Sequence, residues 1–167
     1  MGIWEGIATR FNAVFCRLSA FLVIDKQESL MSLILQGGCR CGQVRYTSSS
    51  PALDVRACHC RDCQYASGSA FSTVAYFPRA SVELHGKLAS YSVKGSDGLT
   101  VNRLFCPDCG TPMCSELVEL PDLIFIKVGT LDDPNSVELG GHMWWRSKVE
   151  WLKIADDLEK LPANPPL

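Results

Sequence analysis

Seven cysteines stand in three tight groups, Cys39-x-Cys41, Cys58-x-Cys60-x-x-Cys63 and Cys106-x-x-Cys109. Thiolates two to four positions apart can both reach one metal at about 2.3 Å, because a tight turn aims them at a common centre. Two such pairs far apart in sequence are the ordinary way to build a tetrahedral structural zinc site. Disulfides are the competing use of so many cysteines. A chain of 167 residues, however, is long enough to bury a core without staples, and its nine cysteines are an odd number. A single pair would also suit a redox motif, but the βαβ setting of a thioredoxin-like site is missing. Cys16 and Cys114 are left over.

Seven does not divide by four. If one closed zinc takes four thiolates, three remain, and three protein ligands plus an open position is the composition of a catalytic zinc. Cys58, Cys60 and Cys63 are compact enough to hold one metal from a single loop. Cys39 and Cys41 then join Cys106 and Cys109 in the closed site, stapling the two ends of a sheet. The other arrangement is structural zinc throughout, with Cys114 or a histidine as an eighth ligand. In Cys106-Pro107-Asp108-Cys109-Gly110 the spacing is that of a zinc knuckle, and the glycine is expected to relieve crowding after the second thiolate.

Around the cysteines the chain reads as short strands broken by turns. Gln43–Thr47 alternates, with Val44 and Tyr46 on one face, and Phe71–Phe77 stops at Pro78, which cannot continue a ladder. Ser81–His85, Ala89–Val93, Thr100–Phe105, Thr111–Leu117, Leu123–Val128 and Val137–Leu139 follow at the spacing of an antiparallel sandwich or open barrel. Helix is scarce: one turn at Cys60–Ala66 ended by Gly68, and a short C-terminal helix within Ser147–Leu161. Residues 1–30 differ, since Trp4, Ile7, Phe11, Val14, Leu18 and Phe21 fall on one helical face. That segment is expected to be an amphipathic extension packing on the domain or on a second copy, giving a possible homodimer, and residues 31–167 the zinc domain proper.

Charge narrows the function. Sixteen basic against 18 acidic residues leave −2, which lacks the basic stripe that nucleic acid requires. No stretch approaches the roughly 20 apolar residues of a membrane span. Leu18–Ile24 is short for a signal peptide, so a reducing, cytoplasmic setting is expected.

Gly37-Gly38-Cys39-Arg40-Cys41-Gly42, Cys58-His59-Cys60-Arg61-Asp62-Cys63 with Ser67-Gly68, and Cys106-Pro107-Asp108-Cys109-Gly110-Thr111 together resemble the glutathione-dependent formaldehyde-activating enzyme family, which includes the centromere protein V domain. The likeness runs from about Gly37 to Leu158, with Gly141-His142-Met143 and Trp151 near its end. It implies a mainly β, Mss4-like fold with two zinc ions per chain. A structural zinc would lie on Cys39, Cys41, Cys106 and Cys109, and a substrate-facing catalytic zinc on Cys58, Cys60 and Cys63. The implied activity is that of a carbon–sulfur lyase joining glutathione, or a similar thiol, to formaldehyde or another small aldehyde. The basic extension of a chromatin-binding member is absent.

Other residues carry weaker expectations. Arg56, Arg61 and Arg103 are surface cations that could meet the tripeptide's carboxylates. His59, between two ligands, should point away from the metal as a supporting or surface residue. His142 is either a pocket wall or, more commonly, a satisfied structural histidine. Cys114 reads as a buried inert thiol and His85 as exposed. A non-catalytic zinc module that binds a protein is the competing function. A methionine sulfoxide reductase ranks behind both, because Cys114 has no resolving partner.

Overall fold

The computed structural model describes residues 35–165; the expected amphipathic segment, Cys16 and most of the boundary region lie outside the described residues. Eleven strands form two sheets. A three-stranded antiparallel sheet has the order β1 (Leu35–Gly38), β2 (Arg45–Ser48), β5 (Val82–His85). An eight-stranded sheet collects β3 (Asp54–Cys58), β4 (Ser72–Pro78), β6 (Ala89–Lys94), β7 (Thr100–Phe105), β8 (Pro112–Leu117), β9 (Leu120–Lys127), β10 (Gly141–Met143) and β11 (Glu159–Lys160). Its order is β11-β10-β3-β4-β9-β8-β7-β6. The one described α-helix, α1 (Arg61–Ser67), is capped at its start by the Cys60 sulfur and ended by Gly68 at φ 63°. The expected mainly β architecture with open sheets and little helix holds in the described residues.

The core lies between the sheets. Val44 and Tyr46 point inward from the small sheet, as their alternation indicates, and meet Phe77, Ile124 and Ile126 of the large one. Across the large sheet the pairing puts Val55 opposite Ala75, Ala75 opposite Ile126, Ile126 opposite Cys114, and Cys114 opposite Leu104. That row is apolar across five strands and faces the core. The alternate residues of the same strands face the other way, and there the candidate site is built.

Close approach explains one glycine. A Cβ on Gly37 would lie 2.2 Å from the Tyr46 hydroxyl and 2.3 Å from the Thr130 carbonyl, so only hydrogen fits.

Three expectations about elements fail. Ser147–Leu161 is not helical. Its backbone groups pair with β10 and the turn after it, through Leu161 N–H to the His142 carbonyl at 2.9 Å and Trp145 N–H to the Leu161 carbonyl at 3.0 Å. Val137–Leu139 forms no strand; Val137 and Leu139 pack on the core without joining a ladder, and the strand begins at Gly141. Nor is the large sheet purely antiparallel, because β10 runs parallel to both β3 and β11.

Candidate metal centres and the cavity beside them

Two clusters of thiols assemble as the spacing indicates. Sγ atoms of Cys39, Cys41, Cys106 and Cys109 lie within 4.8 Å of one another, and so do those of Cys58, Cys60 and Cys63. Within the first, Cys39 and Cys41 are 3.4 Å apart and Cys41 and Cys106 3.7 Å. A tetrahedron with metal–sulfur bonds of about 2.3 Å has edges of about 3.8 Å, so the spacing fits zinc, and it is far too long for a disulfide. Among the described residues neither Cys114 nor a histidine joins either cluster.

Each knuckle of the first cluster is a turn closed by a glycine amide. Gly42 N–H donates to the Cys39 carbonyl at 3.0 Å, and Gly110 N–H to the Cys106 carbonyl at 2.9 Å. Both glycines have positive φ, 81° and 72°. Nothing lies within 4 Å of where their Cβ would be. The glycine is therefore required by left-handed backbone and not, as expected from sequence, by crowding. Backbone amides also face the sulfurs, as Val44 N–H does toward Cys39 at 3.2 Å. The Cys109 thiol is pulled down to about 5, chiefly by its hydrogen bond with the Thr111 hydroxyl.

The second cluster is carried by a strand end and a helix start. Cys58 ends β3, Cys60 caps α1, and Cys63 lies one turn in, its N–H donating to the Cys60 sulfur at 3.3 Å. Hydrogen bonding from Cys58 and then Cys60 pulls the Cys63 thiol down, and the charges of Lys127 and Arg103 add to this. Cys58 is pushed strongly up by its hydrogen bonds with Cys60 and Cys63, with burial adding to this. The three therefore share negative charge unevenly until a cation offsets it.

These three thiols open onto a cavity of about 150 Å³. Its floor is the outward face of the large sheet. In register, Tyr76 stands opposite Phe125, Phe125 opposite Ser115, and Ser115 opposite Arg103. Lys127, beside Val74, is 8 % exposed and donates to the Ser72 hydroxyl at 3.0 Å. Burial lowers its pKa, while the nearby Cys63 charge acts the other way. Trp144, held at φ 56° in the left-handed region, forms part of the wall; a bulky residue there is a strained one.

The remaining expectations sort clearly. His59 is fully buried, which rules out the surface role. Its Nε2 meets His142 Nδ1 at 3.0 Å, and His142 Nε2 meets Asp156 at 2.9 Å. Because the carboxylate accepts, His142 Nε2 donates and its Nδ1 accepts from His59, so His142 is a satisfied structural histidine. His59 Nδ1 is left buried without a partner, and burial holds its pKa down to about 4. Arg56 is not free for a substrate: it pairs with Asp54 at 2.6 Å and Glu159 at 2.5 Å. Arg61 bonds Gln64 and lies over the Tyr65 ring. Only Arg103 of the three lines the cavity. Cys114 is buried in the core, its thiol pushed up to about 12 by desolvation, and His85 is exposed.

Sequence reasoning missed Lys127 and Ser115. A signal existed for the lysine: in Leu123-Ile124-Phe125-Ile126-Lys127 it falls in phase with Leu123 and Phe125, a cation closing an apolar run.

Residues 34–147 match the family of glutathione-dependent formaldehyde-activating enzymes. A Penicillium rubens protein named "Putative glutathione-dependent formaldehyde-activating enzyme" is 35% identical over 72 residues, which cover 43% of this chain and 37% of that protein's length. The crystal structure of a Rhodobacter sphaeroides protein aligns with 65% of this chain and 99% of its own at a TM-score of 0.50 and 21% identity, a likeness of fold. Among the described residues no helix is long and apolar enough to cross a membrane.

Proposed function

The chain belongs to the glutathione-dependent formaldehyde-activating enzyme family, and we propose that it is a zinc-dependent carbon–sulfur lyase joining a thiol such as glutathione to a small aldehyde beside Cys58, Cys60 and Cys63. Cys39, Cys41, Cys106 and Cys109 would hold a structural zinc and the other three a second. The asymmetry between the clusters carries this reading: one has four thiols, whereas the other has three and opens onto a cavity. A non-catalytic module would have no use for thiols lining such a space.

A zinc held there lowers the pKa of a thiol and polarises an aldehyde oxygen. Three cysteine thiolates against a divalent ion would leave −1, and Lys127 and Arg103, whose charges act on Cys63, line the same cavity as cations beside a substrate thiolate. In the reaction the thiol sulfur bonds the carbonyl carbon, the C=O π pair moves to oxygen, and that oxygen takes the proton the thiol gave up. Lys127 donates to the Ser72 hydroxyl and keeps its positive charge in the cavity wall beside the three cysteines. Eight described cysteines without a disulfide suit a reducing cytoplasm.

Zinc per folded chain, measured by elemental analysis with and without glutathione under mild chelator competition, tests the proposal. Two zinc ions, one of which glutathione protects or releases, are expected. One zinc, or two indifferent to glutathione, would refute it.

A further inference from the structure

The cavity beside Cys58, Cys60 and Cys63 has a size and chemistry that the tripeptide thiol does not match. At about 150 Å³ it is as large as an engineered apolar cavity that takes up one benzene molecule. Val74, Leu99, Val101, Phe125, Met143 and Trp144 are among its lining residues, and most of the lining surface is apolar. Glutathione carries two carboxylates and an ammonium, and burying those against such walls costs several kcal/mol per ion even after relaxation. The rim adds repulsion. Asp62 and Asp97 stand there, hydrogen-bonded to Ser96 at 3.0 Å and Asn164 at 2.6 Å, contacts that orient the carboxylates without neutralising them. Formaldehyde errs in the other direction, since it has no side chain to fill the space.

One polar atom in this wall is unexplained by the fold. Ser115 is 6 % exposed, and its Oγ has no hydrogen-bond partner among the described residues. A buried hydroxyl left unpaired costs about 1–3 kcal/mol, and it lines the cavity with Arg103 directly across the strand pair. Arg103 makes no ion pair among the described residues. An apolar chamber with a hydroxyl and a guanidinium side by side in its floor fits a ligand with an apolar body and one oxygen.

We propose that the cavity receives an aromatic or branched aliphatic aldehyde about the size of benzene, its carbonyl oxygen held by Ser115 and Arg103. The assignment rests on the thiol–aldehyde reading above and narrows its aldehyde. Addition balances without a co-reactant: the C–S bond forms, the C=O π bond breaks, and the thiol proton ends on the hemithioacetal oxygen. The thiol's charged ends stay in solvent, outside the rim.

Benzyl alcohol and toluene, unreactive stand-ins with and without the oxygen, test the site on the zinc-loaded protein. Binding is read from the Met143 methyl resonance. Benzyl alcohol should bind about fivefold tighter than toluene, the worth of one net hydrogen bond. Ser115→Ala should remove that advantage and leave toluene unchanged. Leu99→Asp, at a partly exposed position of the lining, should weaken both. If neither molecule shifts Met143, or if the advantage survives Ser115→Ala, the proposal is overturned. Cobalt in place of zinc separates the two layers of argument. A sulfur-to-cobalt absorption that responds to glutathione while both benzyl probes fail to bind keeps the thiol chemistry and sinks this aldehyde. Benzyl alcohol bound with cobalt silent to every thiol sinks the chemistry, and with it the aldehyde's role.

Discussion

Replacing Cys106 and Cys63 by serine, one at a time, should separate the two clusters by their effect on folding. Cys106 is fully buried, and with Cys41, 65 positions away, it ties the turn after β1 to the turn after β7. Closing a loop of that length restricts the unfolded chain by about 4 kcal/mol on the crosslink relation, a bound that applies to a metal clip as to any other tie. Cys58 to Cys63 closes only a few residues, and the same relation yields about 2 kcal/mol. A domain of this size has about 5–15 kcal/mol in total. Cys106→Ser should therefore lower the melting temperature by more than about 12 °C, at roughly 3–4 °C per kcal/mol, and leave the chain short of one zinc. Cys63→Ser should stay within about 8 °C of the parent and lose zinc from the second site alone. The assay is thermal unfolding by circular dichroism paired with zinc analysis of the same samples. Equal losses of stability would show that the second cluster is structural, and the catalytic reading would fall with it.

Two further perturbations test the fold and its charges. Gly37→Ala drives a methyl into the Tyr46 hydroxyl and the Thr130 carbonyl, and should cost about 1–3 kcal/mol by urea unfolding; a loss below half a kcal/mol would mean that β1 moves aside freely. Asp156 is held down to about 2 by Lys160 and then His142. Its folded pKa lies below its ordinary 3.8, so its contribution is present above about pH 4 and is lost as pH falls toward 2. Asp156→Asn should flatten the pH dependence of unfolding in that window, and an unchanged slope would contradict the assignment.

What was legible in the sequence was what local spacing controls. Cys58, Cys60 and Cys63 announce a shared centre because a strand end and one helical turn suffice to bring them together. Cys39 and Cys41 meet Cys106 and Cys109 through the sheets, yet the paired spacings sufficed to match them. Strand β1 was missed because half of it is Gly37 and Gly38, which carry no side-chain pattern, and the first is a glycine for lack of room. Strand β3 was missed although Val55 and Ala57 alternate with Asp54 and Arg56, because the alternation is only a few residues long and its two charges, which pair with each other, suggest a loop. The expected helix at Ser147–Leu161 failed for a partly non-local reason: its last residues, Glu159 to Leu161, are claimed by β10, which no periodicity within the segment records. Ser115 was invisible for the same kind of reason. A serine in a strand is unremarkable until the register places it in the wall of a cavity.

The large sheet is a partition, with the core on one side and the chamber on the other, and this divides the molecule's tolerance for change residue by residue. Along β9, Ile124 and Ile126 answer to folding, whereas Leu123, Phe125 and Lys127 answer to whatever enters. A descendant can therefore exchange its ligand by altering every second residue while the intervening ones keep the protein standing. The same partition forbids drift in alignment: a slip of one residue would carry Lys127 into the core and Ile126 into the chamber, losing stability and selectivity together.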